Sequence, residues 1–187
     1  MIKLSNVTFA YKNGDPVIKS LSLHIKKGER VRLTGESGIG KTTVLRLISG
    51  LEKPQKGKVT LADGAKISAV FQEDRLIPTL NALENVALFS NGEKAKEMLS
   101  ALGLEDSFGL MPAELSGGMK RRVALARALA RESDILILDE AMTGLDELNR
   151  ERVAAVINRY AEGRTIVCVT HDIREAELIG TKDVTIV

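Results

Sequence analysis

Gly35, Glu36, Ser37, Gly38, Ile39, Gly40, Lys41 and Thr42 satisfy the pattern G-x-x-x-x-G-K-[ST] at every fixed position. The run follows a strand-like segment, Arg30 to Thr34, and opens a stretch, Lys41 to Ser49, in which Val44, Leu45 and Ile48 have helical spacing. Strand, glycine-rich loop and helix are the layout that a phosphate cradle needs. Glycines let backbone N–H groups turn inward around an anion without Cβ interference, and the following helix points its positive end at the same place. Lys41 adds a point charge for the β- and γ-phosphates of a nucleoside triphosphate, and the Thr42 hydroxyl suits Mg²⁺.

On the N-terminal side, Ile2, Leu4 and Val7 suggest one strand, and Leu21, Leu23 and Ile25 alternate in another. Lys27, Gly28 and Glu29 form a turn signal before the Arg30 strand. On the C-terminal side, Asp63-Gly64 marks a turn between short β segments, and Ile67 to Phe71 reads as a buried strand ending at Gln72. The character then changes. Asn81 and Glu84 have capping-box spacing for a helix running to about Ser90, and Ala95, Met98, Leu99 and Leu102 make one face of a second, stopped near Gly103. Residues 73–115 therefore read as a small helical insert. Helices are expected from Gly117 to Arg131 and around Asn149 to Tyr160, each followed by an unbroken apolar run, Ile135–Leu138 and Ile166–Val169. Such runs between helices are what a parallel sheet covered on both faces requires. The expectation is one α/β domain over 1–187, of the P-loop NTPase class, with a mixed sheet core and an antiparallel N-terminal part.

Asp139 and Glu140 stand at the carboxyl end of a buried strand, where open α/β sheets place ligands. Opposite Thr42, Asp139 is placed to hold Mg²⁺ directly or through water, and Glu140 to polarise an attacking water. His171 follows the apolar run ending at Thr170, and an imidazole there can bond the γ-phosphate and the attacking water. Gln72, ending another strand, can reach the metal or the water. His24 lies in an alternating strand with no acidic or glycine-rich neighbours and reads as structural.

Leu115, Ser116, Gly117 and Gly118 open a helix, a second anion-binding end as local chemistry, or simply a serine cap with glycines behind it. The phosphate loop, Gln72, this Leu-Ser-Gly-Gly segment, Asp139-Glu140 and His171 stand in the order seen in ATP-binding cassette (ABC) transporter ATPases, which the chain resembles over nearly its whole length. The resemblance implies ATP as ligand, contacted by Thr43 along with the loop, and Tyr11 as the aromatic residue on which adenine stacks. It implies that Ser116, Gly117 and Gly118 bind the γ-phosphate of ATP held by a second ATPase subunit, and that Asp146 lies on the loop crossing that interface. Two sites would be completed in a head-to-tail pair, a homodimer in the ATP state. Lys41, Gln72, Glu140 and His171 would form the catalytic set, and Thr42, Gln72 and Asp139 the metal set. Met119 departs from the family's usual glutamine, Ala141 from proline and Gly144 from alanine; none removes a phosphate, metal or water contact. The stretch Phe71 to Pro78, with Leu83 to Val86 and Met119, is similar to importers of nitrate, sulfonates, taurine and bicarbonate. A C-terminal segment that many relatives carry is not expected in the sixteen residues after His171, which bears on regulation and dimer stability rather than catalysis.

Composition sets the partners. With 27 Lys and Arg against 25 Asp and Glu, the net charge of +2 does not argue for nucleic acid. The basic run Lys120, Arg121 and Arg122 reads as a solvated helix face. No apolar stretch approaches the ~18 residues of a membrane span, and the N-terminus predicts no signal peptide. One cysteine, Cys168, sits in an apolar run and fits a reducing compartment as a buried, inert thiol. The resulting expectation is a cytoplasmic protein, held at the inner face of the membrane by separate transmembrane permease subunits. A soluble ABC ATPase acting on DNA would need a long coiled-coil insert, and one acting in translation a second cassette. A small-molecule kinase would need an acceptor lid and has no use for Leu115 to Gly118.

Overall fold

The computed structural model describes residues 1–12 and 14–186. Strands β1 (Ile2–Phe9), β2 (Ile18–Ile25) and β4 (Lys56–Leu61) form an antiparallel sheet in the order β2-β1-β4. Strands β3 (Arg30–Thr34), β5 (Ile67–Val70), β6 (Ile135–Asp139), β7 (Thr165–Val169) and β8 (Lys182–Thr185) form a second, parallel sheet in the order β5-β6-β7-β3-β8. The buried residues of β1 are Ile2, Leu4, Val7 and Phe9, an odd step in an alternating strand. A register shift between Leu4 and Val7 restores the phase, with Asn6 in the left-handed region at φ 47°. Asparagine tolerates that conformation better than most residues.

Every residue of β6 and β7 is buried, because two separate cores grip opposite faces of the parallel sheet. Ile135, Ile137, Val167 and Val169 face the antiparallel sheet and helix α1 (Lys41–Ile48), packing with Ile2, Leu4, Val44 and Leu45. Leu136, Leu138, Ile166 and Cys168 face the other way, toward Leu125, Leu129, Val153 and Ile157. The last four lie on α4 (Gly117–Ala130) and α5 (Glu147–Tyr160). The period-2 geometry of a strand sends neighbours to opposite cores, so these strands are apolar except at their ends, Asp139 and Thr165.

Between β5 and α4 stand α2 (Ala82–Ala87), α3 (Gly92–Ala101) and a single 3₁₀ turn at Glu105–Ser107. The expected capping box is present: Asn81 Oδ1 accepts from the Glu84 N–H at 2.8 Å and Glu84 Oε2 from the Asn81 N–H at 2.9 Å. The first insert helix stops at Ala87, short of Ser90, because Asn91 caps the next one by accepting from the Lys94 N–H at 2.8 Å. Asn85, fully buried, fastens the preceding loop by accepting from the Ile77 N–H and donating to the carbonyls of Ile77, Leu80 and Asn81. Helix α6 (Ile173–Leu178) and β8 are short and carry weak periodicity, and sequence reading misses both. Tertiary contact supplies their order: β8 joins the β3 edge, where Arg32 grips Asp183 through Nε and Nη2 at 2.8 and 2.6 Å.

The basic run on α4 is not a solvated face. Arg121 is buried and donates to the carbonyls of Phe71 at 2.7 Å and Gln72 at 2.6 Å, with Asp74 as its ion-pair partner at 3.0 Å. Arg122 donates to the carbonyls of Leu102 and Gly103, and Arg127 to those of Asp74 and Arg75. Guanidinium forks suit paired carbonyls, so these charges act as fasteners between α4 and the loops it crosses.

Cys168 is the buried thiol that its apolar run implies, and burial pushes it up to about 12. Its pKa is raised on folding, so the neutral thiol favours the native state below pH ~9, and that contribution is lost as pH climbs toward 12. We expect no labelling of native protein by a thiol-specific disulfide reagent at pH 8, and stoichiometric labelling in denaturant; prompt native labelling would contradict the burial.

Candidate active site

Parallel pairing brings the carboxyl ends of β3, β5, β6 and β7 to one edge of the sheet, and a cleft of about 720 Å³ opens there. Register does the alignment: Val70 pairs with Leu138, and Asp139 with Val169, so Gln72, Asp139, Glu140 and His171 all leave the sheet within a turn of its end. All four line the cleft, together with Ser37, Gly38, Gly40, Lys41, Thr42 and Thr43.

The loop after β3 wraps closely. Gly35 has φ 145° and Gly40 φ 101°; a Cβ on Gly35 would lie 2.8 Å from the Ile186 carbonyl oxygen, and one on Gly40 2.6 Å from the Ile18 side chain. Both positions therefore need glycine for dihedral angle, and Gly35 also for space against the Ile186 backbone. Gly40 begins α1 without a side-chain cap, which leaves that helix's first N–H groups directed at the loop's concavity. Lys41 is 9% exposed, and its Nζ donates to the carbonyls of Gly35 and Glu36 at 2.9 Å each, so the loop closes around the ammonium. Glu36 and Ile39 complete the turn, with the Ile39 N–H donating to the Glu36 carbonyl.

Thr42 Oγ1 donates to Asp139 Oδ1 at 3.2 Å, while Asp139 Oδ2 is buried without a partner. Burial pushes the Asp139 carboxyl above its ordinary range; the Thr42 hydrogen bond works against that shift, and the Glu140 charge adds to it. A buried, half-satisfied carboxylate beside a hydroxyl is a donor set suited to a hard divalent cation. Glu140 sits just beyond at φ 52°. Its N–H extends the sheet by donating to the Val169 carbonyl at 2.8 Å, which fixes the backbone despite the left-handed turn. Oε2 accepts from Thr143 Oγ1 at 3.0 Å, and Oε1 lies 3.5 Å from His171 Nε2, buried and without a hydrogen bond. One carboxylate oxygen is held, and the other has no hydrogen bond and faces the His171 ring.

Other residues from the sequence stand around this cleft rather than in it. The Tyr11 hydroxyl lies 3.2 Å from Thr43 Oγ1, with its ring edge-on to Phe9 at 4.8 Å between centroids. Ser116 caps α4 by accepting from the Met119 N–H at 3.2 Å, and Gly118 packs beside Gly144 and Leu145. Asp146 caps α5 by accepting from the Asn149 N–H at 2.8 Å; that bond and a second from the Asn149 side chain hold its carboxyl below the ordinary range. Among the described residues, the cleft lining does not include Ser116, Gly117, Gly118 or Asp146. His24 is exposed on β2, the edge of the other sheet.

A family model for the ABC transporter matches residues 18–143. The chain belongs to the ABC transporter family. This cassette is 42% identical over 178 residues to the aliphatic sulfonates import ATP-binding protein SsuB 2 of Pseudomonas fluorescens, an alignment covering 89% of this chain and 66% of that protein. It is 40% identical over 209 residues to the ABC transporter ATP-binding protein MJ0796 of Methanocaldococcus jannaschii, covering 94% of this chain and 89% of that one. The solved dimer of MJ0796 bound to ADP and Pi, a post-hydrolysis state, superposes with a TM-score of 0.87 at 37% identity, covering 95% of this chain and 91% of the other. A second dimeric MJ0796 structure gives 0.83. The α/β domain with an antiparallel N-terminal part read from the sequence is thus the ABC ATPase fold, its core sheet all parallel and its antiparallel pairing confined to β2-β1-β4.

Sequence reasoning did not find Thr143 as a Glu140 ligand, Arg121 as the anchor of the Gln72 backbone, or Arg150, Thr170 and Glu175, which also line the cleft. Arginines and glutamates on exposed-looking helices carry no local signal. Only the spatial convergence of α5, α6 and the β7 end singles them out.

Proposed function

We propose that this cassette binds and hydrolyses ATP as the nucleotide-binding subunit of an ABC transporter, driving separate transmembrane subunits through ATP-dependent pairing. The observation that carries the reading is the Glu140 carboxylate in the cleft wall beyond the Lys41 loop, one oxygen held by Thr143 and the other buried 3.5 Å from His171 without a hydrogen bond. Lys41 and the loop amides hold the β- and γ-phosphates, and Tyr11, whose hydroxyl lies beside Thr43, would offer an aromatic face to adenine. Glu140 takes a proton from the attacking water as its oxygen bonds the γ-phosphorus; the β–γ bridging oxygen leaves with ADP. His171 bonds the γ-phosphate and steadies the water. Thr42, Asp139 and Gln72 would hold Mg²⁺, which supplies neutralising charge between the phosphates when bound.

Pairing is supported by the position of the Ser116 helix end outside the chain's own cleft, with Gly118 beside the Gly144–Asp146 loop. Two copies related by a two-fold axis would place each Ser116–Gly118 end on the other's γ-phosphate, and the similar MJ0796 cassette is solved as a dimer. For a membrane partner, the exposed Leu51, Leu88 and Phe89 offer apolar surface near the insert. No helix among the described residues is long and apolar enough to cross a membrane. By its likeness to importer ATP-binding proteins, the cassette would work from the cytoplasmic face through its permease. The likeness to sulfonate import proteins supports the importing branch. The reading also takes 1–187 as one cassette domain.

The test is Mg-ATP turnover measured against protein concentration. Turnover per subunit should rise with concentration and plateau as pairs form. Absence of Mg-ATP binding, or turnover per subunit constant at every dilution with no self-association, would overturn the proposal.

A further inference from the structure

One guanidinium, on the first turn of α5, touches three segments of the cleft wall. Arg150 Nη2 donates to the Leu145 carbonyl at 3.2 Å, Nη1 lies 3.6 Å from Asp172 Oδ2, and Nε lies 3.6 Å from Glu175 Oε1. Leu145 belongs to the loop just before Asp146, and Asp172 follows His171. Glu175 is 4% exposed, in the first turn of α6, and its Oε2 accepts from Thr170 Oγ1 at 2.6 Å. The same Thr170 oxygen accepts from the Asp172 N–H at 3.1 Å, so His171 is bracketed on both sides by one hydroxyl that Glu175 holds. A carboxylate this buried is retained only where partners satisfy it, and burial indeed pushes Glu175 above its ordinary range, with the Thr170 bond and the Arg150 charge working against that shift. The Arg150 Nε is itself buried and lacks a hydrogen bond. A shift of about half an ångström toward Glu175 would bring it into bonding range.

We propose that Arg150 is a positioning residue, braced on the buried Glu175 carboxylate, that locks the His171 loop in register with the Leu145–Asp146 loop. This inference rests on the hydrolysis proposed above. It adds a mechanical link within one subunit: a partner pressing on the Asp146 loop moves the Leu145 carbonyl, Arg150 carries that displacement to Asp172 and Glu175, and the His171 ring comes to bear on the γ-phosphate. Arg150 itself needs no contact with the nucleotide. A 1 Å misplacement of a catalytic group costs up to about 10²-fold in rate, so the link has the leverage to make turnover depend on pairing.

A double-mutant cycle on kcat separates this role from a structural one. Arg150→Gln should lower kcat about ten- to hundredfold, leaving ATP affinity of the single subunit and KM within about twofold, since the Lys41 loop is untouched. Removing the imidazole by His171→Ala should lower kcat at least as far, and the double variant should be no slower than His171→Ala alone, because Arg150 acts only through that ring. Arg150→Lys, keeping the charge and losing the fork, should recover part of the loss. Glu175→Gln is isosteric and should give the same non-additive cycle with His171→Ala, which decides the question if the Arg150 variant does not fold. Losses that multiply in the folded double variant, or a kcat unchanged by Arg150→Gln, overturn the inference while wild-type turnover leaves the hydrolytic reading standing. Absence of turnover in the wild-type chain overturns both.

Discussion

Replacing Glu140 with glutamine is expected to abolish steady-state ATP hydrolysis while leaving Mg-ATP binding intact, and to convert a transient pair into a persistent one. The side chain keeps its size and its bond from Thr143, and the left-handed backbone at φ 52° is no more strained by glutamine than by glutamate. What disappears is the base. Positioned proton transfer contributes about 10²–10⁴-fold, so turnover should fall by at least two orders of magnitude. The phosphates stay in the Lys41 loop and against the partner's Ser116 end, and nothing removes the bridging ATP. Size-exclusion chromatography with ATP should show a dimer absent from the wild type under the same conditions, and a radiolabelled-ATP assay should show no Pi release. Turnover within threefold of wild type would remove Glu140 from the mechanism.

Replacing Ser116 with arginine should produce the complementary phenotype: single subunits bind ATP as before, pairing fails, and hydrolysis drops by a hundredfold or more. Ser116 lies outside the chain's own cleft, so a bulky side chain there cannot disturb the Lys41 loop directly. It would instead fill the space through which the α4 end meets a partner's phosphate. Part of any effect is local, because the serine caps α4 through the Met119 N–H. Losing a cap costs about 1 kcal/mol, roughly 2–4 °C in Tm for a chain of this size. Ser116→Ala removes the cap and the hydroxyl without adding bulk, so it should show the same fall in Tm with a smaller loss of activity than the arginine variant. If the arginine variant turns over ATP normally as a monomer, the shared site is wrong.

Much of the site is legible as text because phosphate binding is a backbone property. A loop that must present N–H groups at φ values such as 145° and 101° without Cβ collisions has to be written with glycine, and the lysine and threonine that follow sit at fixed distances along a single helix turn. The same holds for β6: between two cores Ile135–Leu138 must be apolar, so the carboxylate that ends the strand, Asp139, marks the sheet's edge. Local rules also placed the Asn81 cap and the bounds of β3. They failed where order comes from elsewhere in the chain. Helix α6 and β8 are too short for a periodic signal, and β8 exists because the β3 edge and Arg32 receive it. The basic run on α4 reads as solvent-facing because charge alone cannot say which backbone carbonyls lie opposite it. In the fold, Arg121 meets the carbonyls of Phe71 and Gln72, and Arg122 those of Leu102 and Gly103.

The sequence by itself determined where the proposed chemistry lies: the glycine loop with Thr42, and the strand-end carboxylates Asp139 and Glu140 proposed for the cation and the water, follow from residue types at fixed spacing along one strand, loop or helix turn. The tertiary structure alone decided which oxygen of Glu140 is free, that Arg121 holds the Gln72 backbone, and that Arg150 joins the Leu145 and His171 loops across Glu175. The division is physical. Backbone conformation and strand burial are short-range demands that each position must satisfy locally, whereas contacts between distant segments, such as Arg121 with the Gln72 carbonyl or Arg150 with Glu175, depend on how whole elements pack, which no single stretch encodes.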